Sequence, residues 1–211
     1  MLLDDLMKLY YTDKCSLDHG YNVFYEEFLE PIKNDNLSLL EIGIYRPPAG
    51  SIRQEGASLK TWYDYLPNTK IYGIDLDDFS NLNNDRIQTF ICNHDKPEML
   101  IDVMNKIGSE LDIIIDDGSH FMNSHQIILS TLFRYLKPGG MFIIEDLHTC
   151  HMPEYLRGDE STLDILKNFK DTGLLKGKYI TDEDSKYLSL NINNIKIKMG
   201  ISSEIVFITK K

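Results

Sequence analysis

The run Leu111-Asp-Ile-Ile-Ile-Asp116 limits the fold more than any other stretch of the chain. Its three successive isoleucines leave no face for solvent, so the segment is predicted to be a strand buried on both sides, as in the middle of a parallel sheet. Other short apolar runs repeat the arrangement: Leu37 to Gly43 (LSLLEIG), Lys70 to Asp75 (KIYGID), Arg86 to Cys92 (RIQTFIC) and Met141 to Glu145 (MFIIE). Between them apolar residues fall at helical spacing, over Ala57 to Leu66 ahead of Pro67, from Pro97 to about Ile107, and over Asn123 to Tyr135 ahead of Lys137-Pro-Gly-Gly140. The alternation predicts an α/β fold with a mostly parallel, doubly wound sheet. Tyr187 to Ile192, Ile195 to Met199 and Glu204 to Thr209 read as β segments separated by Asn193-Asn194 and Gly200, so an antiparallel C-terminal hairpin is expected to complete it.

Charge narrows the partners. The 211 residues carry 22 Lys+Arg against 33 Asp+Glu, a formal charge of −11, and such a surface repels phosphate backbones and anionic headgroups. Nucleic acid and membrane partners are therefore not expected, which leaves small molecules. No stretch reaches the ~20 consecutive apolar residues of a membrane span. The opening MLLDDLMKLYYTDK has acids where a secretory signal needs a basic region, and the expected location is cytoplasmic. Cys15, Cys92 and Cys150 form no CxxC pair and are expected as reduced thiols.

In an open parallel sheet, ligands bind beyond the carboxyl ends of the strands, near the point where strand order reverses. Polar residues fall there repeatedly: Glu41, Asp75, Asn93 and Asp95, Asp116 and Asp117, Glu145 and Asp146. The first turn, Glu41-Ile-Gly43, lacks both GxGxxG spacing and the Lys-Ser/Thr of a P-loop, which argues against nicotinamide dinucleotides and nucleoside triphosphates. An E-x-G turn suits a ligand with a cationic amino-acid portion and no phosphate, and Asp75 suits a ribose diol. Together they point to S-adenosylmethionine. The second constellation is Asp116-Asp-Gly-Ser-His120 with Glu145-Asp146. If its two strands are parallel neighbours, their ends lie about 5 Å apart. Carboxylates so placed repel unless a cation sits between them, and all-oxygen ligation fits Mg²⁺ (or Mn²⁺). His120 is then placed to act as a general base; the other reading of the acids is helix capping. His125 reads as a packing or capping residue, and His148 with His151 as a hydrophilic loop.

Several segments together resemble the class I, Mg²⁺-dependent sugar O-methyltransferases typified by the macrocin and mycinamicin enzymes. They are Thr12-Asp-Lys14, His19-Gly-Tyr21 and Tyr25, LLEIGI (Leu39 to Ile44), Ser58 to Trp62, YGIDLD (Tyr72 to Asp77), DIIIDDGSH (Asp112 to His120), LKPGG (Leu136 to Gly140) and IEDLHT (Ile144 to Thr149). The resemblance implies a Rossmann-like class I methyltransferase fold. It implies metal ligands at Asp117, Glu145 and Asp146, with His120 as the base beside Asp117. It also implies that Glu41, Gly43, Asp75 and the Asn93, His94, Asp95 segment surround the donor, with Asp116 as an addition. One departure is the longer Tyr45 to Glu55 stretch before Gly56-Ala-Ser-Leu59, where the family passes directly into the helix.

The expected organisation is an N-terminal helical lid over residues 1–36 and an S-adenosylmethionine-binding methyltransferase domain over residues 37–211. The lid's His19-Gly-Tyr21 element either folds over the site or packs an N-terminal helix. The expected activity is metal-assisted methyl transfer to a hydroxyl of a sugar or nucleotide-sugar. The acceptor pocket is left to the loops after Thr149 or to a neighbouring subunit of a homo-oligomer. The alternatives are methylation of another small acceptor, such as a catechol-like diol, an amine or an amide, and a nucleotide- or metal-binding domain without transferase activity.

Overall fold

The computed structural model describes residues 1–45, 50 and 52–211. Arg46 to Ala49 and Ser51, in the Tyr45 to Glu55 stretch expected to depart from the family, lie outside the described residues. Strands β1 (Ser38–Ile42), β2 (Lys70–Asp75), β3 (Ile87–Ile91), β4 (Leu111–Asp116), β5 (Leu136–Ile144), β6 (Ile192–Met199) and β7 (Glu204–Lys210) form one seven-stranded sheet in the order β3-β2-β1-β4-β5-β7-β6. Strands β1 to β5 pair in parallel, and β7 runs antiparallel to both β5 and β6. Strand order therefore reverses between β1 and β4. Ile42 pairs with Asp116 there, and Asp116 pairs with Ile144, so the tips of β1, β4 and β5 end level with one another.

Helices α1 (Leu3–Tyr10), α2 (Asn22–Leu29), α3 (Ala57–Tyr65), α4 (Pro97–Ile107), α5 (Met122–Leu132), α6 (Pro153–Leu156), α7 (Thr162–Thr172) and α8 (Asp182–Asn191) complete the fold. The isoleucine run of β4 is explained by a core on each face of the sheet. Ile114 packs with Leu40, Ile42, Phe142 and the α4 and α5 residues Leu100, Met104, Ile128 and Leu132. Ile113 and Ile115 point the other way, into Leu39, Ile71 and Phe207 and the α1 to α3 residues Leu6, Met7, Tyr25 and Trp62. Each isoleucine so buried contributes roughly 2 kcal/mol relative to exposure. The α4 boundaries follow local chemistry, with Pro97 opening the first turn and Gly108 closing it at φ 70°.

Three boundaries differ from the sequence reading. Tyr187 to Asn191 is not a β segment but the end of α8, because Thr181 caps that helix by accepting the Asp184 N–H at 3.1 Å and Asp182, Glu183 and Asp184 fill its positive first turn. The Asn193-Asn194 pair does not turn the chain; β6 runs through it, with a register shift between Ile192 and Asn194. Strand β5 starts at Leu136, carrying the Lys137-Pro-Gly-Gly140 stretch as an irregular opening whose pairing with β4 shifts between Leu111 and Ile113. The three cysteines are buried and free. Among the described residues no helix is long and apolar enough to cross a membrane.

Candidate active site

The tips of β1, β2, β4 and β5 meet around a cavity of about 360 Å³ whose lining includes Gly43, Asp75, Asp117, Gly118, His120 and Asp146. On its β2 side, Asp75 shapes the turn after β1 by accepting the Ile44 N–H at 2.7 Å. Gly43 is required for contact rather than for flexibility alone. Its φ is 93°, and a Cβ there would lie 2.0 Å from the Asp117 carbonyl oxygen. Glu41 is fully buried; its Oε2 accepts the Trp62 indole N–H at 3.0 Å, while Oε1 accepts no hydrogen bond among the described residues. Burial pushes its carboxyl up to about 7. Asp116 is in the same condition, buried with Oδ2 unpartnered and pushed up to about 8 by burial. A buried carboxylate oxygen without a hydrogen bond costs free energy, so these two carboxyls are candidates for meeting a polar group the fold itself does not supply.

Residues after β3 close the same side. The Asn93 carboxamide accepts the Asp95 N–H at 3.0 Å, and Asp95 in turn accepts the Ser124 hydroxyl of α5. The His94 ring lies against Gly118, where a Cβ would sit 3.4 Å from two of its atoms, and burial lowers its pKa. His125 lies behind His120 in α5, buried and held neutral, its Nδ1 3.1 Å from the Thr162 hydroxyl oxygen. His148 and His151 pair with Ser203 and Glu204 at 2.7 and 3.0 Å, at the edge of the C-terminal hairpin.

The acidic cluster stands at the β4 and β5 tips. Ligand-type atoms of Asp117, His120 and Asp146 all lie within 4.8 Å of one another. His120 Nε2 is 3.7 Å from Asp146 Oδ2 and 4.0 Å from Asp117 Oδ1. Both His120 and Asp146 have left-handed backbones, at φ 58° and 55°, which turns their side chains into the cavity at a conformational cost. The two carboxylates are the oxygen donors a small hard divalent cation takes, and the imidazole stands beside them. Glu145, the third expected ligand, sits one row behind them and is 1% exposed. Its Oε1 accepts the Tyr25 hydroxyl, and its Oε2 accepts the Lys14 ammonium at 2.7 Å.

Lys14 and Tyr25 had no assigned role in the sequence reading, yet they brace this cluster, as does Tyr21 of the His19-Gly-Tyr21 element expected either to fold over the site or to pack a helix. Lys14 is 1% exposed and its ammonium also reaches Asp117 Oδ2 at 2.6 Å. Burial raises the carboxyls of Asp117 and Glu145, and the ammonium opposes that shift. Tyr21 and His19 bracket Asp146 Oδ1, at 2.9 and 3.5 Å. That N-terminal stretch is pinned from the other end of the chain, where the Ile201 N–H donates to the His19 carbonyl at 2.7 Å. The residue types were visible only as pieces of the family resemblance, because the spacing of a lone Lys or Tyr does not reveal a partner more than a hundred residues away.

No protein-family model matches the chain. Among curated proteins it is 35% identical over 146 residues to the 8-demethyl-8-alpha-L-rhamnosyl tetracenomycin-C 2'-O-methyltransferase of Streptomyces olivaceus, covering 68% of this chain and 37% of that protein. It is 30% identical over 178 residues to the demethylmacrocin O-methyltransferase of Streptomyces fradiae, covering 81% and 44%. Among solved structures, the MycE methyltransferase of mycinamycin biosynthesis, in complex with Mg, SAH and mycinamycin VI, superposes over the whole chain and 54% of its own length, with a TM-score of 0.81 at 26% identity. The chain belongs to this sugar O-methyltransferase family. Its sheet, with five parallel strands and an antiparallel C-terminal pair, is the class I methyltransferase fold. The chain spans about half the length, or less, of the family members it matches.

Proposed function

We propose that the chain is the donor-binding domain of an S-adenosylmethionine-dependent O-methyltransferase that methylates a sugar hydroxyl on a small molecule, assisted by Mg²⁺ and with His120 as general base. One observation carries the reading. Gly43 of the E-x-G turn, Asp75 and the acidic group of Asp117, His120 and Asp146 open into a single cavity of about 360 Å³ at the β1/β4 reversal. In this reading the donor's ribose hydroxyls meet Asp75, its amino-acid end meets the Gly43 turn with Glu41 buried behind it, and its base lies toward Asn93 to Asp95 and Asp116. The relatives' names support a sugar hydroxyl as acceptor and the MycE complex supports Mg and the donor product as ligands.

Transfer is an in-line displacement: the acceptor oxygen forms the new C–O bond as the C–S bond breaks, and its proton must leave. Asp117, Glu145 and Asp146 would hold the cation, which supplies acidification of a coordinated hydroxyl. His120 Nε2, within 4.0 Å of both aspartates, takes the proton. Residues 1–36 serve as the lid, since Lys14, His19 and Tyr21 close over Asp117 and Asp146. Acceptor contacts from the loops after Thr149 or from a neighbouring subunit complete the reading.

Thermal-shift titration tests the donor part: S-adenosylhomocysteine should raise the melting temperature and NAD should not. Transfer of labelled methyl to a glycosylated acceptor, abolished by a chelator and restored by Mg²⁺, tests the rest. A response to neither ligand would favour a domain without transferase activity.

A further inference from the structure

The Lys14 ammonium lies where a cation is wanted. It sits 2.6 Å from Asp117 Oδ2 and 2.7 Å from Glu145 Oε2, two of the three carboxylates assigned to the metal. With the Tyr25 hydroxyl on Oε1, both oxygens of Glu145 are occupied. A divalent ion bonded to Glu145 would share Oε2 with the ammonium or Oε1 with the Tyr25 hydroxyl, and either way two cations on one buried carboxylate repel strongly. Asp117, by contrast, keeps Oδ1 toward His120, and Asp146 keeps Oδ2. Only Glu145 has to be vacated before it can bind metal.

The structure also holds a place for the ammonium to go. Glu41 Oε1 is buried, accepts no hydrogen bond among the described residues, and lies 3.8 Å from Lys14 Nζ. A shift of about 1 Å would turn that gap into a charge-assisted hydrogen bond. A cavity of about 30 Å³ borders Lys14, Gly43, Ser58 and Asp117, so the lysine is not closely packed on every side.

We propose that Lys14 is a resident counter-cation that the divalent ion displaces from Glu145 and passes to Glu41. Lys14 is then a positioning residue that sets the affinity of the metal site and links it to the donor turn. The inference rests on the metal reading above, since it concerns how the cation gains its third carboxylate.

The test is Mn²⁺ binding followed by electron paramagnetic resonance, on the whole chain without donor or acceptor. Lys14→Met, which keeps the length and removes the charge, should bind Mn²⁺ about tenfold more tightly than wild type. Glu41→Gln, which removes the receiving charge, should bind it several-fold more weakly. A purely structural lysine predicts the opposite for Lys14→Met, and equal or weaker binding by that variant overturns the exchange. Should Lys14→Met fail to fold, crystals of the wild type soaked in Mn²⁺ decide. The expected result is an ion on Glu145 with the ammonium moved to Glu41; an ion on Asp117, His120 and Asp146 with the ammonium still on Glu145 overturns the proposal. If neither wild type nor variant binds Mn²⁺, the metal reading itself fails and the exchange with it, whereas binding that ignores Lys14 sinks the exchange alone.

Discussion

The Tyr21 hydroxyl grips Asp146 twice: it donates to Oδ1 at 2.9 Å and accepts the Asp146 backbone N–H at 3.2 Å. One side chain thereby fixes both the carboxylate and the left-handed backbone that aims it. Tyr21→Phe removes both bonds and leaves a partly buried N–H unpaired. The expected cost is about 1–3 kcal/mol in urea unfolding, accompanied by weaker Mn²⁺ binding. Unchanged Mn²⁺ affinity would show that Asp146 is oriented without it.

His120 sits at φ 58°, a conformation that asparagine tolerates better than alanine. His120→Asn therefore removes the imidazole with little added strain. Methyl transfer at saturating acceptor should fall by about 10²- to 10⁴-fold, with binding of S-adenosylhomocysteine unchanged in calorimetry. Full turnover by this variant would rule the base assignment out.

At Gly43 the space is already taken, since an added Cβ would stand 2.0 Å from the Asp117 carbonyl oxygen. Gly43→Ala must push the β1 turn away from the β4 tip. The variant should lose about 2 kcal/mol or more of stability and show no thermal shift with S-adenosylhomocysteine. Retention of that shift would mean the turn does not touch the donor.

His125 titrates with a definite sign. Burial, with His120 and His94 nearby, pushes its folded pKa down to about 3, whereas the unfolded chain protonates near the ordinary value of 6.5. Below that ordinary value the unfolded state binds a proton that the folded state does not. The contribution is thus fully present above it and falls by roughly 1.4 kcal/mol per pH unit on the way down toward the folded value. The unfolding free energy of His125→Asn should have a visibly shallower slope between pH 6 and pH 4. Parallel slopes for the two proteins would contradict the assignment.

The sheet was legible because its signals are local. An apolar run ending in a carboxylate carries its own evidence for a buried strand with a polar tip, and the level ends of β4 and β5 follow once those strands are neighbours. Tyr187 was misread because aromatic and apolar residues favour strands, whereas the cap six residues earlier at Thr181 decided for helix. The inner layer of the site was illegible for a different reason. Lys14 meets Asp117 and Glu145 across 103 and 131 residues, and Tyr25 meets Glu145 across 120. Nothing in the spacing of such residues announces a partner so distant.

The clasp between His19 and Ile201, with Tyr21 reaching Asp146 and the Glu204 carbonyl, ties the segment before α2 and the β6–β7 hairpin to the same carboxylate. Because β7 lies between β5 and β6 and carries this clasp, damage to that hairpin would loosen Asp146 and silence the chemistry before it unravelled the parallel half of the sheet.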